Sequence, residues 1–275
     1  MNMILLLFIS LPVGFVGALT GLGGASILIP VMISFGVPVK EAIACGMITV
    51  IATSSGSASS YVRERITNVK VAMYLEMFTI TGAILGATIT TVIAPVYLYF
   101  FFAAFLLTSF LELRNPDKKG SHSPREQDRF SKWLELRGSY FDEAAQRIVE
   151  YKIQHPVLGG MGMFVAGLAA GMLGIGAGAF KVTVQENILK MPSKVSSTTS
   201  NLIIGMTALA GTSVYLLSGL LNITLMTPMA VGTTIGALIG GRVLNRFTER
   251  TLEILFFLVV TFLIIEMLYK GVMLL

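Results

Sequence analysis

Charge is scarce in this sequence. Only 13% of its 275 residues are Asp, Glu, Lys or Arg, against about a quarter in a soluble globular chain, which excludes an ordinary water-soluble domain. Cys45 is the one cysteine, so no intrachain disulfide can form and the redox compartment is not readable. The two histidines, His122 and His155, both fall in one polar stretch. That leaves no His–Ser or His–metal constellation inside the apolar segments and argues against an intramembrane protease. No acidic cluster or Cys/His pairing suits a cation or transition metal, and no Walker lysine motif is present. The expectation is no metal, no cofactor, no ATP hydrolysis and no enzyme. The net charge of +5 comes from Lys and Arg in loops that flank apolar stretches. That is a membrane-proximal pattern and no sign of nucleic-acid binding.

Hydrophobic residues, by contrast, make up 54% of the chain, and its mean hydropathy is +0.79. The clearest apolar stretches are Ala42 to Tyr61, Val71 to Leu111 with a break near Pro95, Val157 to Thr183, Leu202 to Leu221 and Ile254 to Leu268. Each approaches or exceeds the roughly 20 residues needed to cross a bilayer. The N-terminus has no basic region ahead of its apolar stretch, which argues against a cleaved signal peptide.

The apolar unit occurs twice, offset by about 154 residues. The glycine-rich break Gly21 to Ala25 returns as Gly174 to Gly178, and Val37 to Ala42 returns as Met191 to Ser196. Tyr61 and Asn68 return as Tyr215 and Asn222, and Gly82 begins a segment that returns at Gly236. Loop charge gives the copies opposite orientations. In the first copy Arg63, Arg65 and Lys70 follow the second helix, and Thr91 to Val96 is uncharged. In the second, Ser218 to Thr224 is uncharged, and Arg242, Arg246 and Arg250 come one loop later. Basic loops stay on the cytoplasmic side, so equivalent loops lie on opposite faces, as in inverted-repeat transporters. The basic stretch between the copies is then cytoplasmic. Pro156 to Leu189 must cross an even number of times, as two shorter helices meeting at the glycine break. The same holds for Asn2 to Gly36, and both termini lie outside.

The expected fold is an all-α polytopic membrane protein. Two inverted repeats each contain a Gly-broken helical hairpin and three transmembrane helices. Residues 1–111 form the first repeat, 112–155 a cytoplasmic connecting segment and 156–275 the second repeat. One long broken helix per segment, giving eight simple spans and parallel repeats, is the alternative. In the connecting segment the partial alternation of Val149, Tyr151 and Ile153 fits a small β-hairpin or an amphipathic helix.

Glycine clusters at membrane depth need surrounding protein or a water-filled cavity, because hydrocarbon cannot satisfy free backbone groups. A helix that resumes after such a break presents unbonded N–H groups and the positive end of its dipole, which together favour an anion. The resuming helices are expected near Gly24 to Ser26 and Gly178 to Phe180, with their N-termini facing each other across a pseudo-twofold axis. The candidate anion contacts are Thr20, Gly21, Gly23, Gly24 and Ser26 on one side and Gly174, Gly176 and Gly178 on the other. Close packing through small residues is the reading for the segments at Gly82 and Gly236. Hydroxyl-rich tracts add Thr53 and Ser54 in the first copy and Thr199, Ser200 and Asn201 in the second. Such hydroxyls also commonly bond their own helix.

Lys181 stands in the first turn after the second break, where it either meets an anionic ligand or snorkels to a membrane face. Glu186, five residues on, is poorly placed to pair with it. Glu76 and Glu266 are read as interfacial residues near helix ends.

Together "GFVGALTGLGGASILIPVM", "GMLGIGAGAFKV", "VPVKEAIACGMITVIATSSGSASSY", "STTSNLIIGMTALAGTSVY" and "GALIGGRV" resemble the TauE/SafE sulfite exporter family, also called TSUP, over nearly the whole chain. The "GSYFDEAAQRIVEY" stretch is similar to the cytoplasmic segment of one branch. The sequence departs from the usual glycine pattern at Ala25 and Ala177, and has Thr183 where a proline is usual. The resemblance implies a multi-pass permease of the cytoplasmic membrane for sulfite, sulfonates or related organic anions. The implied partners are a small anionic substrate and membrane lipid, and homo-oligomerisation is left open. A channel-like anion facilitator and a non-transporting membrane scaffold are the competing functions.

Overall fold

The computed structural model describes residues 3–20, 24–63, 67–114, 129–142, 147–243, 261 and 264–273. Within these, α1 (Met3–Thr20), α2 (Ala25–Ser34), α3 (Val39–Arg63), α4 (Val69–Val92) and α5 (Pro95–Arg114) come first. A short α6 (Arg129–Trp133) leads to the strands β1 (Arg137–Asp142) and β2 (Arg147–Lys152). Then come α7 (Pro156–Leu173), α8 (Gly178–Asn187), α9 (Ser193–Leu217) and α10 (Ile223–Val243). Residues 264–273 are again helical. The fold is mostly helical. Three described helices, α4, α7 and α9, are long and apolar enough to cross a membrane. Arg65, Arg246, Arg250 and the polar stretch 115–128 lie outside the described residues, as do the side chains of Arg63 and Arg242.

The duplication is visible in the element lengths. Helices of 18, 10 and 25 residues open the chain as α1, α2 and α3 and return as α7, α8 and α9. The ten-residue members span only about 15 Å, half a bilayer core. The break between α7 and α8 follows from local geometry. Gly174 closes α7 at φ +69°, Gly176 lies at +71° and Ala177 at +50°. Left-handed residues so close together turn the chain, and two of the three are glycine, which takes that conformation without penalty. At the other end of α7, Pro156 stands in the first turn, where its missing N–H costs nothing.

Packing exchanges elements between the copies. α1 lies along α10, and α7 lies along α4 in the same way. Both seams are lined by glycine. A Cβ on Gly167 would fall 2.7 Å from the Thr79 Cα, and one on Gly171 would fall 2.8 Å from the Ala83 Cα. In the other seam, one on Gly14 would fall 2.6 Å from the Thr233 Cα. The segments at Gly82 and Gly236 do the same work: their added Cβ atoms would strike the backbone at Phe164 and Leu168, and at Leu11 and Phe15. These glycines are packing positions, as expected for small residues at apolar helix contacts.

Residue pairs also give helix directions. Thr79 meets Gly167 and Ala83 meets Gly171, so α4 and α7 run parallel. Met47 meets Gly211 and Ser54 meets Gly205, so α3 and its counterpart α9 run antiparallel. The crossing ends reciprocally. The Asn68 N–H donates to Thr199 Oγ1 (3.2 Å), and Cys45 Sγ approaches the Asn222 carbonyl (3.9 Å). Asn68 and Asn222 are counterparts in the repeat, and so are Cys45 and Thr199.

The connecting segment forms the antiparallel hairpin β1–β2, with Arg137 opposite Lys152. Of the two readings open for this segment, the hairpin is the one adopted. It docks on the helices through Leu136 and Ile153, buried in one cluster with Val71, Leu75, Leu189 and Val195. Outward-facing apolar side chains such as Met77, Leu85, Met161, Val165 and Leu216 remain exposed, a surface suited to hydrocarbon.

Candidate functional site

Two charged side chains are buried together where α4, α8 and α9 meet. Lys181 is 0% exposed and Glu76 is 2% exposed. Thr207 Oγ1 stands between them, accepting from Lys181 Nζ at 2.9 Å and lying 3.2 Å from Glu76 Oε1. Thr207 is near the middle of α9, about 20 Å from that helix's start, so the cluster lies deep in the protein. Glu76, read from the sequence as interfacial, is enclosed by protein. It sits on the buried stripe of α4 with Ala72, Leu75, Thr79 and Ala83. Lys181 does not snorkel, because α9 covers it.

The cluster has spare hydrogen-bonding capacity. An ammonium carries three donors, and among the described residues Thr207 is the acceptor given for Lys181. Glu76 Oε2 has no partner. Gln185 follows Lys181 by one turn on the same face of α8, is 0% exposed, and has neither amide atom bonded. Ser196, fully buried on α9, also has an unpartnered hydroxyl. Buried polar atoms normally find partners, because each one left alone costs about 1–3 kcal/mol. Free donors from Lys181 and Gln185 suit a small oxyanion, which brings only acceptors.

The other sequence-predicted residues divide into groups. Gly21 and Gly23 lie outside the described residues, as does the Thr20 side chain. Gly24 packs near Gly14 and Thr233, with 3.5 Å between its added Cβ and the nearest atoms of each, and Ser26 is buried in α2. Gly174 is pressed onto α3, close to the Ile43 carbonyl, and Gly176 faces Val50 and Ile204. Gly178 starts α8, as expected, and its carbonyl accepts from Ser200 Oγ at 3.4 Å. Thr53 and Ser54 bond back to their own helix, at the Thr49 and Ile51 carbonyls. The Asn201 amide does likewise at Ser197, and Thr199 is engaged by Asn68.

Glu76 and Thr207 are the polar partners of Lys181 that sequence reasoning left out of the site, and buried Gln185 was left out as well. A signal for Glu76 was present: it is a carboxylate inside a long apolar stretch, where ionisable groups are rare and pair with one another. Lys181 was the obvious cation to match it.

One end of this region is sealed by the hairpin. Asn68 caps α4 by accepting from the Val71 N–H (3.1 Å), and its amide donates to the Tyr151 hydroxyl (2.9 Å) and the Arg137 carbonyl (3.3 Å). Burial pushes the Tyr151 phenol up from its ordinary value, against the opposing effect of the Asn68 bond, so it stays neutral. The Gln154 N–H donates to the Leu189 carbonyl in the α8–α9 turn. Lys70 pairs with Glu135 at 3.4 Å, a surface pair worth little energy but one that places the first turn of α4 beside the connecting segment.

Apolar helices long enough to span a bilayer, a half-length helix behind the glycine turn at Gly174–Ala177 and a buried charge cluster between α4, α8 and α9 fit an integral membrane transporter. The sequence pattern of the family described as "Sulfite exporter TauE/SafE" matches residues 6–267, and the chain belongs to that family. It is 21% identical over 280 residues to "Probable membrane transporter protein YunE" of Bacillus subtilis (strain 168), covering 99% of each chain. It is 25% identical over 263 residues to "Probable membrane transporter protein YdhB" of the same organism, covering 94% of this chain and 96% of that one. No solved structure matches.

Proposed function

We propose that the chain is a permease of the cytoplasmic membrane. It exports small sulfur-containing anions (sulfite, a sulfonate or a related organic anion) by alternating access between two inverted repeats. The observation that carries this reading is Lys181, a fully buried ammonium in the first turn of a half-length helix that resumes at a glycine break. An intramembrane cation is costly and marks a substrate path by default. At this position its charge adds to the dipole and free N–H groups of the α8 N-terminus.

The inverted arrangement is supported by helix direction. A twofold axis along the membrane normal would leave equivalent spans parallel, whereas an axis in the membrane plane reverses them. The antiparallel crossing of α3 and α9 agrees with the second case. It also agrees with the loop charges, although Arg246 and Arg250 lie outside the described residues. Glu76 comes from the first repeat, and Lys181 and Thr207 come from the second, so rocking of one repeat against the other remakes the site. In this reading residues 1–111 and 156–275 are the moving units, and 112–155 is a cytoplasmic connector. The proposed contacts on the first repeat's side remain Thr20, Gly21, Gly23, Gly24 and Ser26, of which Gly21, Gly23 and the Thr20 side chain lie outside the described residues. The partners are the anion and the surrounding lipid, and a second copy of the chain is compatible with it.

Thermal unfolding of the purified protein with sulfite, thiosulfate, sulfoacetate, taurine and simple carboxylates tests the reading. A sulfur oxyanion at 100 times its Kd should stabilise the fold by about 2.7 kcal/mol. If no anion stabilises a well-folded protein, the scaffold reading takes its place.

A further inference from the structure

The unused acceptor on Glu76 carries the reading of this site one step further. Lys181 Nζ and Glu76 Oε1 both approach Thr207 Oγ1, whose hydroxyl also reaches the Ile203 carbonyl at 2.6 Å, so the ammonium is matched by one carboxylate across one hydroxyl oxygen. An anion binding at Lys181 has to displace that carboxylate electrostatically. It brings a second negative charge next to Glu76, whose Oε2 is buried and unpartnered. Two anions sharing one ammonium in a buried site is a costly arrangement. Protonation of Glu76 removes the surplus charge. It also converts the unpartnered acceptor into an O–H donor of the kind an oxyanion accepts from.

We infer that Glu76 is a coupling carboxylate: the site takes up one proton for each monoanion it binds, Glu76 receiving the proton as Lys181 passes from Glu76 to the anion. The charge count closes. The empty site holds one ammonium and one carboxylate, and the loaded site holds one ammonium, one carboxylic acid and one anion, so both are neutral. The inference rests on the anion-site reading of Lys181 given above.

Among the described residues, no charged side chain other than Glu76 and Lys181 is buried. Among the helices packed on α4, α7 has no Asp, Glu, Lys, Arg or His. α9 carries Lys194 in its first turn, and α3 carries Lys40 and Glu41 in its first turn and Arg63 at its end. Glu186 on α8 is partly exposed. The repeat supplies a comparison within the same molecule. The counterparts of Lys181, Thr207 and Glu76 are Leu28, Thr53 and Ala230. The same helix junction therefore closes with the hydroxyl kept and both charges gone, so the fold does not require the charged pair.

The test uses the full chain in detergent with methanesulfonate as the probe, a monoanion that does not change its own charge near neutrality. Proton uptake on binding is read from the pH change in weak buffer, and affinity is measured across pH. The expected result is uptake of about one proton per methanesulfonate bound. Affinity should fall by up to about tenfold per pH unit as pH rises, since ionised Glu76 competes with the anion. Glu76→Gln should bind with pH-independent affinity, near the low-pH value of the unaltered protein, and with no proton uptake. Binding without proton uptake by the unaltered protein overturns the coupling role and leaves the anion site standing. Absence of binding of any anion at every pH, in folded protein, removes the anion-site reading itself and the coupling role with it. Should Glu76→Gln fail to fold, the proton count on the unaltered protein decides alone.

Discussion

Lys181 and Ala177 occupy the same short turn and carry different consequences. Lys181 presents its charge beside the first amides of α8, and Thr207 fixes it at 2.9 Å. Lys181→Met keeps the apolar stem and removes the charge. Affinity for the transported anion should drop about 10- to 150-fold, corresponding to ~1.5–3 kcal/mol for a hydrogen bond to a charged group. Titration calorimetry measures it, and unchanged affinity in a folded variant would remove Lys181 from the site. Ala177 is a buried alanine held at φ +50° ahead of α8, a conformation that costs an L-residue about 1–2 kcal/mol. Ala177→Gly relieves that strain and forfeits about 0.5–1 kcal/mol of chain entropy, so thermal unfolding should shift upward slightly. A clear downward shift would mean that the Ala177 methyl contributes more by packing than its conformation costs. Both residues stand in the break that the glycine pattern marks. What the pattern does not reveal is Glu76, because its partner lies in the other repeat and only tertiary packing of α4 against α9 joins them.

At the scale of elements, one seam is built twice. Gly82 faces the backbone of α7, and its counterpart Gly236 faces the backbone of α1. Backbone cannot move aside as a flexible side chain can, so Gly82→Val should destabilise by about 1–3 kcal/mol through overpacking. Gly236→Val should cost a similar amount, which paired thermal-unfolding curves would show; a large cost at one site and none at the other would mean that the seams are not equivalent. The break between α7 and α8 was legible for a simple reason. Glycine-specific conformations at Gly174 and Gly176 leave a sequence mark, and a ten-residue helix cannot cross a bilayer. The β1–β2 hairpin was only half legible. Alternation at Val149, Tyr151 and Ile153 admits a strand, but the pairing is secured by contacts far along the chain: Asn68 to Tyr151, and Ile153 against Leu75 and Leu189.

For the whole molecule, the proposed inverted arrangement makes a testable statement about sidedness. Ser139 in β1 and Ser218 at the end of α9 are both exposed and belong to opposite membrane faces in the inverted arrangement. On a Cys45→Ser background, Ser139→Cys should react with an impermeant thiol reagent only in inside-out vesicles, and Ser218→Cys only in right-side-out cells. Reaction of both from one side would rule that arrangement out. The most direct test of the central claim, that the chain carries small sulfur anions, is counterflow in proteoliposomes preloaded with unlabelled sulfite. Labelled sulfite added outside should accumulate transiently above its outside concentration, and Lys181→Met should abolish the overshoot. Monotonic equilibration without overshoot would identify a channel. The absence of protein-dependent flux, under conditions where the protein is folded and inserted, would contradict the account.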